Sequence, residues 1–375
     1  MPQLGPDVAV LVSDEFFSTR HAQLRCVECH GGVEPATGRR DAHVGMDPLP
    51  SSAGKDSICF DCHAGIVSRF DGTLHAQTRA ISGHGEALVL ERAGSDTREA
   101  LLPAIDRQCD RCHVTGCGDC HVSRPQQVDG GFINGHVFNK TPSSTLNCTG
   151  CHGSRVEREY LGKGETDVCE LAADVHWDPG EMECVACHTG MWMHGQTTPF
   201  DARYDNPSPP RCEMCHDASA QFMGIESHDA HARADAGVYL QCQVCHAQDY
   251  NNCVSCHVGE SEDGTAYYVN SGSYFDLKIG RNYLKSEEKP WDYVVVRRIP
   301  VAPDTFDGYV EDALTEFDAA PTYKYATPHS IARVTRQSES CAACHYDDSV
   351  FLTAADIAEM SAEERRANAP VIVDR

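Results

Sequence analysis

The sequence predicts a mostly irregular fold with short α-helices, little regular secondary structure and one small β-like segment. Three observations lead to this prediction. The pentapeptide Cys-x-x-Cys-His occurs ten times and uses 20 of the 21 cysteines. The 375 residues include 30 glycines and 19 prolines, which favour turns and loops over long elements. Residues 258–340 contain no such motif but hold eight of the 13 tyrosines.

The composition argues against a nucleic-acid partner and against a transmembrane segment. Lys and Arg number 31 and Asp and Glu 56, which gives a formal net charge of −25. Binding a phosphate backbone needs clustered basic residues, and the longest basic runs here are isolated Arg-Arg pairs. No segment approaches the roughly 18 consecutive apolar residues of a transmembrane helix. We therefore expect no nucleic-acid partner and no transmembrane segment.

The ten motifs, numbered one to ten in chain order, lie at 26–30, 59–63, 109–113, 117–121, 148–152, 184–188, 212–216, 242–246, 253–257 and 341–345. This pentapeptide is the attachment signature of c-type haem. The two thiols add to the vinyl groups of one haem, and the adjoining histidine is the proximal iron ligand. The cofactor prediction is therefore ten c-type haems.

The predicted attachment residues are Cys26, Cys29, Cys59, Cys62, Cys109, Cys112, Cys117, Cys120, Cys148, Cys151, Cys184, Cys187, Cys212, Cys215, Cys242, Cys245, Cys253, Cys256, Cys341 and Cys344. The predicted proximal ligands are His30, His63, His113, His121, His152, His188, His216, His246, His257 and His345. Zinc sites and disulfides are the alternatives. Zinc needs four ligands, but its chemistry does not require a histidine directly after the second cysteine of each pair. A disulfide requires no histidine at all. Neither alternative therefore explains the repeated motif.

A second set of ten histidines matches the motifs in number: His21, His43, His75, His84, His136, His176, His194, His228, His231 and His329. This equality favours two histidines on each iron, which makes the irons six-coordinate electron carriers. His228 and His231 share a helical face and could serve two neighbouring irons. His176 and His194 bracket the sixth motif and could reach haems on either side. The sequence does not say which of these residues meets which iron, and we expect no methionine ligand.

The haem density also predicts the core. With 375 residues over ten motifs, the porphyrins must form most of the apolar interior, so the predicted class is a multihaem cytochrome c with a haem-filled core. Motifs three and four, and motifs eight and nine, are so close in sequence that they should carry tightly coupled haem pairs. We expect a short helix around each motif. We predict three regions: 1–257 with nine haems, 258–340 without haem, and 341–375 with the tenth haem and a helical tail.

The segments TAYYVN, YFDLKIG and WDYVVVRRIPV within 258–340 are rich in β-branched and aromatic residues, which predicts strands or extended arms. This region either covers haem faces or forms a docking surface, since Trp291, Tyr293 and the Arg297-Arg298 pair are of types enriched at interfaces. Two short helices are expected at 353–359 and 361–368, the second opened by a capping box at Ser361. Cys169 stands outside the motifs and is expected to be a small buried residue.

The tracts NCTGCHGSRVEREYLGKGE, LQCQVCHAQDYNNCVSCHV and YKYATPHSIARVTRQSESCAACH resemble the large extracytoplasmic multihaem c-type cytochromes of anaerobic respiratory bacteria and archaea. The resemblance covers about 146–375. It implies a decahaem chain of bis-histidine haems in stacked and T-shaped pairs, passing electrons between a quinone-linked membrane complex or a redox partner protein and an external acceptor. Some relatives assemble into extracellular filaments.

Two hypotheses of function follow. The leading hypothesis is electron transfer without catalysis. It includes self-assembly into filaments, because motifs near both chain termini would let the haems of neighbouring subunits meet. The alternative is an oxidoreductase with one open haem that acts on a small nitrogen or sulfur compound. Haem ligation occurs outside the cytoplasm, so we expect a periplasmic or extracellular protein. The first residues lack the basic region and the long apolar core of a signal peptide, so we expect that the numbering starts on a mature chain.

Overall fold

The computed structural model describes residues 12–50, 56–77, 90–109, 114, 116–124, 130–162, 171–195, 206–216, 224–235 and 237–375. Two compact units divide the chain. The first comprises Met1–His84, Cys109–Gly153 and Glu183–Arg203, and the second comprises Gly85–Gln108, Ser154–Met182 and Tyr204–Arg375. Within the described ranges, no helix has the length and apolar character that crossing a membrane requires.

The helices are short. They are α1 (Cys26–His30), α2 (Arg39–Ala42), α3 (Ile58–Phe70), α4 (Leu74–Gln77), α5 (Arg98–Cys109), α6 (Gly118–His121), α7 (Thr149–Cys151), α8 (Arg158–Leu161), α9 (Cys184–Cys187), α10 (Gly190–Met193), α11 (Glu226–His231), α12 (Cys242–His246), α13 (Ala342–His345) and α14 (Ala362–Asn368). The seventh motif begins with a 3₁₀ turn, Cys212–Met214, and Ser144–Cys148 forms a π-helical turn into the fifth motif.

Among the described residues of the second unit, seven strands form three small antiparallel sheets. They are β1 (Tyr250–Cys253), β2 (Cys256–Glu260), β3 (Ala266–Asn270), β4 (Ser273–Asp276), β5 (Lys278–Arg281), β6 (Tyr293–Arg298) and β7 (Tyr323–Tyr325). β1 pairs with β4, β2 pairs with β3, and β5, β6 and β7 form a three-stranded sheet in that order. The predicted mostly irregular fold with short helices and a small β segment is confirmed.

The three-stranded sheet carries apolar side chains on both faces. Val294 and Val296 of β6 pack in one cluster with Trp291 and Leu352, while Val295 packs in the other with Ile279. Alternation along one strand places successive side chains on opposite faces, so β6 joins the two clusters. Its three valines are fully buried. The sheet is therefore an ordinary hydrophobic core that needs only protein side chains.

This core fixes two motifs. Val244, inside the eighth motif, belongs to one cluster, and Cys344 of the tenth motif packs against the same cluster. Buried Gln241 precedes the eighth motif; its Nε2 donates to Tyr325 Oη at 3.1 Å, and its Oε1 accepts the Val295 N–H at 2.9 Å. These bonds satisfy a buried amide and hold the start of α12 against the sheet.

The first unit has a different interior. Of the buried hydrophobic residues in the described part of the chain, three belong to this unit, Val67, Val122 and Val137, while the second unit contains the rest. Three valines are too few to make a core for six motifs. This distribution agrees with the prediction of a haem-filled interior for the first unit. The second unit has a core of protein side chains instead.

The structure departs from the sequence expectations in two places. We expected a short helix around every motif, but the ninth motif lies on β1 and β2, where Cys253 pairs with Ser273 and His257 with Val269. Pairing with the following hairpin replaces the helix there. The helix predicted at 353–359 is also wrong, because turns occupy that segment. Thr353 donates its backbone and hydroxyl hydrogens to Asp356, a local bond that competes with a helix.

Other expectations agree with the structure or have no test in it. The helix predicted at 361–368 is present as α14, and Ser361 Oγ accepts the Glu364 N–H at 3.0 Å. Strands occupy the three segments predicted as strands or arms. Trp291 is buried in the sheet core, and Arg297 forms an ion pair with buried Glu159, so both stabilise the unit from inside. The three predicted regions stay a prediction, and Cys169 lies outside the described residues.

Candidate haem sites

The first and eighth motifs place their three chemical groups on one side of a helical turn. In α1 and α12 the motif occupies the whole helix, from the first cysteine to the histidine. Residues three and four apart lie on the same helix face, so both thiols and the imidazole point in one direction. A single haem can therefore receive two thioether bonds and an axial ligand from five consecutive residues.

Seven histidine ring pairs bring one motif histidine and one non-motif histidine together. In motif order, the pairs and their ring-centre distances are His30 with His136 (5.9 Å), His63 with His21 (6.3 Å), His121 with His194 (6.1 Å), His152 with His75 (6.3 Å), His216 with His176 (5.9 Å), His246 with His228 (6.0 Å) and His345 with His231 (6.0 Å). The first four lie within the first unit and the other three within the second.

These distances suit two ligands on one metal. Because an imidazole nitrogen binds a metal at about 2 Å and lies about 1 Å from its own ring centre, two rings on opposite sides of one metal have centres about 6 Å apart. The stacked rings of His21 and Phe138, with no room for a metal between them, lie only 4.2 Å apart. The gap within each histidine pair would accommodate one coordinated iron.

Hydrogen bonds orient several of these rings through Nδ1. The Nδ1–H groups of His30, His121 and His246 donate to the carbonyl oxygens of residues 47, 139 and 332 at 2.8, 2.6 and 3.1 Å. His231 donates in the same way to Val238 O at 3.4 Å. A donor role for Nδ1 fixes the tautomer in which Nε2 carries a lone pair, which is the form that binds a metal.

The environment of five non-motif rings disfavours their charged form. Burial, followed by the charge of the facing ring, lowers the pKa of His21, His136, His194 and His228. The same two causes lower the pKa of His75 from 6.5 to about 4. A ligand must be deprotonated to bind iron, so these sites favour ligation at neutral pH.

Four described histidines have other surroundings. The His188 ring centre lies 4.9 Å from that of Trp192, and His43 Nδ1–H donates to Arg39 O at 2.5 Å. The backbone N–H of His329 donates to buried Glu159 at 2.9 Å. His257 Nε2 lies 3.1 and 3.2 Å from the hydroxyls of Ser255 and Ser271.

The third motif is largely outside the described part of the chain. Cys112, His113 and His84 lie outside the described residues, and the side chain of Cys109 is also outside them. Their assignments as haem-binding residues therefore stay predictions from the sequence. None of the 18 described motif cysteines forms a disulfide.

Thiol contacts bring certain motifs together. The thiols of Cys59 and Cys117 are hydrogen-bonded, which raises the pKa of Cys59. Cys148 and Cys184 form a second contact, and Cys212 and Cys242 a third. Each contact joins the first cysteines of two motifs, namely two with four, five with six, and seven with eight. The close pairs expected from sequence spacing, motifs three with four and motifs eight with nine, stay predictions.

Sequence reasoning missed one residue that acts on the predicted ligands. Asp174, a buried carboxylate two positions before His176, accepts the His176 Nδ1–H at 2.7 Å. The available signal was an Asp-x-His pattern ahead of a motif. That pattern is short and common. The hydrogen bond is strong because Asp174 is buried, and burial cannot be read from the sequence.

The donor sets fit c-type haem. A thiol pair, an adjoining imidazole and a second, neutral imidazole about 6 Å away are the groups that attach and ligate a bis-histidine haem. Residues 58–153 match the family model described as cytochrome c554 and c-prime. No curated protein and no solved structure matches the chain.

The family match covers residues 58–153, about a quarter of the chain. It supports a c-type cytochrome with covalently bound haem that transfers electrons. Proteins of this class are typically extracytoplasmic, because their haem is attached outside the cytoplasm. The matched segment contains motifs two to five in full and the ligand candidates His75, His84 and His136.

Proposed function

We propose that this chain carries ten c-type haems, each ligated by two histidines, and conducts electrons in extracytoplasmic anaerobic respiration without catalysing a reaction. The observation that carries the proposal is the composition of the seven ring pairs. Each pair joins a motif histidine to a non-motif histidine. Pairing by chance would also join members of the same set.

The thiol contacts support a route within each unit. Haem supplies one-electron redox chemistry when bound. Electron transfer slows with distance, so motifs with touching thiols are its natural neighbours. The three thiol hydrogen bonds link motifs two and four, five and six, and seven and eight. The nearby thiols of Cys120 and Cys148 extend the first unit's route, and those of Cys245 and Cys344 extend the second unit's route.

Haem content and spin state test this proposal together. A haemochrome assay and intact mass should give ten haems per chain. Electron paramagnetic resonance of the oxidised protein should show low-spin ferric iron throughout. Fewer than ten haems would refute the count, and a stoichiometric high-spin component would refute complete bis-histidine ligation.

The second candidate function is an oxidoreductase with one open haem, and the ninth motif favours it. This motif lies on strands, and two hydroxyls contact the Nε2 atom of its histidine. A haem iron bound at the ninth motif is therefore the best candidate for an open coordination position. Steady-state assays with nitrite, hydroxylamine and tetrathionate decide the matter, and turnover with any of them would favour the enzyme.

The proposal includes self-assembly or a redox protein partner. Strand β3 presents Tyr267, Tyr268 and Val269 to solvent, and Tyr268 is 71% exposed. Aromatic side chains are enriched in protein interfaces, so this strand supports a contact surface. Negative-stain electron microscopy of the haem-loaded protein distinguishes the forms. Filaments would favour an extracellular conduit, and discrete particles at all concentrations would favour a relay to a quinone-linked complex.

A further inference from the structure

A buried carboxylate sets one predicted iron ligand apart from the others. Asp174 Oδ1 accepts both the ring Nδ1–H and the backbone N–H of His176, at 2.7 and 2.8 Å. Its Oδ2 accepts the Ile331 N–H at 2.8 Å, and its own N–H donates to Tyr160 O at 3.1 Å. The carboxylate is 2% exposed. Three hydrogen bonds to the carboxylate and one from the backbone of Asp174 therefore hold this side chain in one orientation against the ring.

The partner of this ring differs in charge from those of the comparable rings. His30, His121, His231 and His246 donate their Nδ1–H groups to neutral backbone carbonyls. His176 donates to a carboxylate, which forms a charge-assisted hydrogen bond. His257 also has a carboxylate near Nδ1, but Asp304 lies 3.8 Å away and its side chain is 55% exposed. Distance and solvent weaken that interaction.

A buried carboxylate that accepts the Nδ1–H hydrogen bond changes the electron-donating strength of Nε2 toward a metal. The carboxylate draws the ring proton toward itself, so the ring gains imidazolate character and becomes a stronger electron donor. A more basic axial ligand stabilises ferric iron relative to ferrous iron. Second-shell hydrogen bonding is one of the means by which a protein sets the potential of haem iron.

We infer that Asp174 is a positioning residue that lowers the reduction potential of the haem at the seventh motif, whose histidine His216 faces His176 at 5.9 Å. The inference rests on the proposed bis-histidine ligation. The seventh motif touches the eighth through Cys212 and Cys242. A low potential at this point makes the seventh haem the more strongly reducing member of that pair.

The test is the variant Asp174→Asn, which removes the charge and keeps a carbonyl oxygen that can accept from His176. In spectroelectrochemical titration of the haem-loaded protein, one of the ten one-electron steps should move to higher potential. The low-spin signals should persist, since the ring still has a hydrogen-bond acceptor. Unchanged potentials with full haem content would overturn the inference and leave the proposed function intact. A chain without ten haems would instead refute the proposed function.

The matched control is Glu213→Gln, which removes one negative charge inside the same motif. Glu213 is half-buried, pairs with Arg211 at 3.6 Å and lies 4.0 Å from Cys242 Sγ, so it acts on this haem through space alone. It should shift the same step less than Asp174→Asn does. An equal shift would overturn a specific role for the hydrogen bond.

A second variant covers the case in which Asp174→Asn fails to assemble. Replacing both Cys212 and Cys215 by Ser removes the attachment points of the seventh haem and deletes one redox step. The deleted step should lie at the low-potential end of the titration. A deleted step at the high-potential end would overturn the inference.

Discussion

The imidazole of His121, in the fourth motif, lies 6.1 Å from that of His194, and the two ring planes are inclined by only 25°. His194 directly follows α10, where its backbone N–H donates to Gly190 O. The next residue, Gly195, has a φ of +87° and passes close to Arg69 of α3. The position of one ligand candidate thus depends on contact between two distant segments of the first unit.

Gly195→Ala should disturb this site. A Cβ there would lie 2.4 Å from the carbonyl oxygen of Arg69, and the positive φ already disfavours a side chain. The backbone must move, and His194 moves with it. We expect one low-spin component to change its g values or become high-spin in electron paramagnetic resonance.

The control for this prediction is Gly65→Ala. A Cβ at Gly65, within α3, meets no protein atom within 4 Å. Alanine there should raise the free energy of unfolding by about 0.5–1 kcal/mol and leave the spin state unchanged. Equal spectral effects from the two variants would contradict a specific role for the turn at Gly195.

His75→Ala should convert one iron in ten to the high-spin form. His75 faces His152 at 6.3 Å, so its loss should remove one axial ligand from the fifth motif's haem. Resonance Raman or electron paramagnetic resonance measures the high-spin fraction. Adding Cys148→Ser and Cys151→Ser should abolish the new signal with that haem. A signal that survives would place His75 on a different iron.

The ligation should persist into mild acid. Burial lowers the pKa of His75 from 6.5 to about 4 in the folded chain. A depressed folded-state pKa contributes stability that is fully present above pH 6.5 and is lost as the pH falls toward 4. The low-spin absorption of the fifth motif's haem should therefore hold from neutral pH to about pH 5 and decline below pH 4. A transition centred near pH 6.5 would contradict the shifted pKa.

Asn368→Ala should destabilise the second unit. The Asn368 side chain is fully buried, and its Oδ1 accepts the N–H groups of Thr322 and Tyr323, each at 3.0 Å. Truncation leaves both N–H groups buried without that acceptor, at a cost of about 1–3 kcal/mol each. Denaturant unfolding followed by far-ultraviolet circular dichroism measures the loss.

Arg366→Ala is the matched substitution for this experiment. Arg366 lies on the same helix, α14, with an exposed side chain. Removing it should change the free energy of unfolding by no more than about 0.5 kcal/mol. A similar loss in both variants would mean that a general effect of altering α14, rather than the hydrogen bonds of Asn368, accounts for the loss.

The sequence predicted the chemistry of these sites better than their geometry. The motif and the equal histidine counts are local features, so they could be found without a fold. Which rings face each other depends on packing. His30 faces His136, far along the chain, although His21 and His43 are nearer in sequence.

Two local expectations about ligands show where the sequence sufficed. His228 and His231 share α11, and they face His246 and His345 of two different motifs, as their helical spacing suggested. His176 and His194, which bracket the sixth motif, face the seventh and the fourth. In both cases the spacing limits the directions in which the rings point, but only the tertiary fold chooses the partner. The β pairing of the ninth motif had no such local signal, since it depends on the hairpin that follows.

The contrast between the two interiors has a consequence for biogenesis. The sheet of β5, β6 and β7 buries its apolar side chains between protein elements, so it can collapse before any haem is attached and present the eighth and tenth motifs in position. The described part of the first unit buries three valines and must obtain its interior from the cofactor. When haem is scarce, the two units should therefore differ in protease sensitivity. Proteases should cleave the segments of the first unit, while the sheet of the second unit stays folded and resists them.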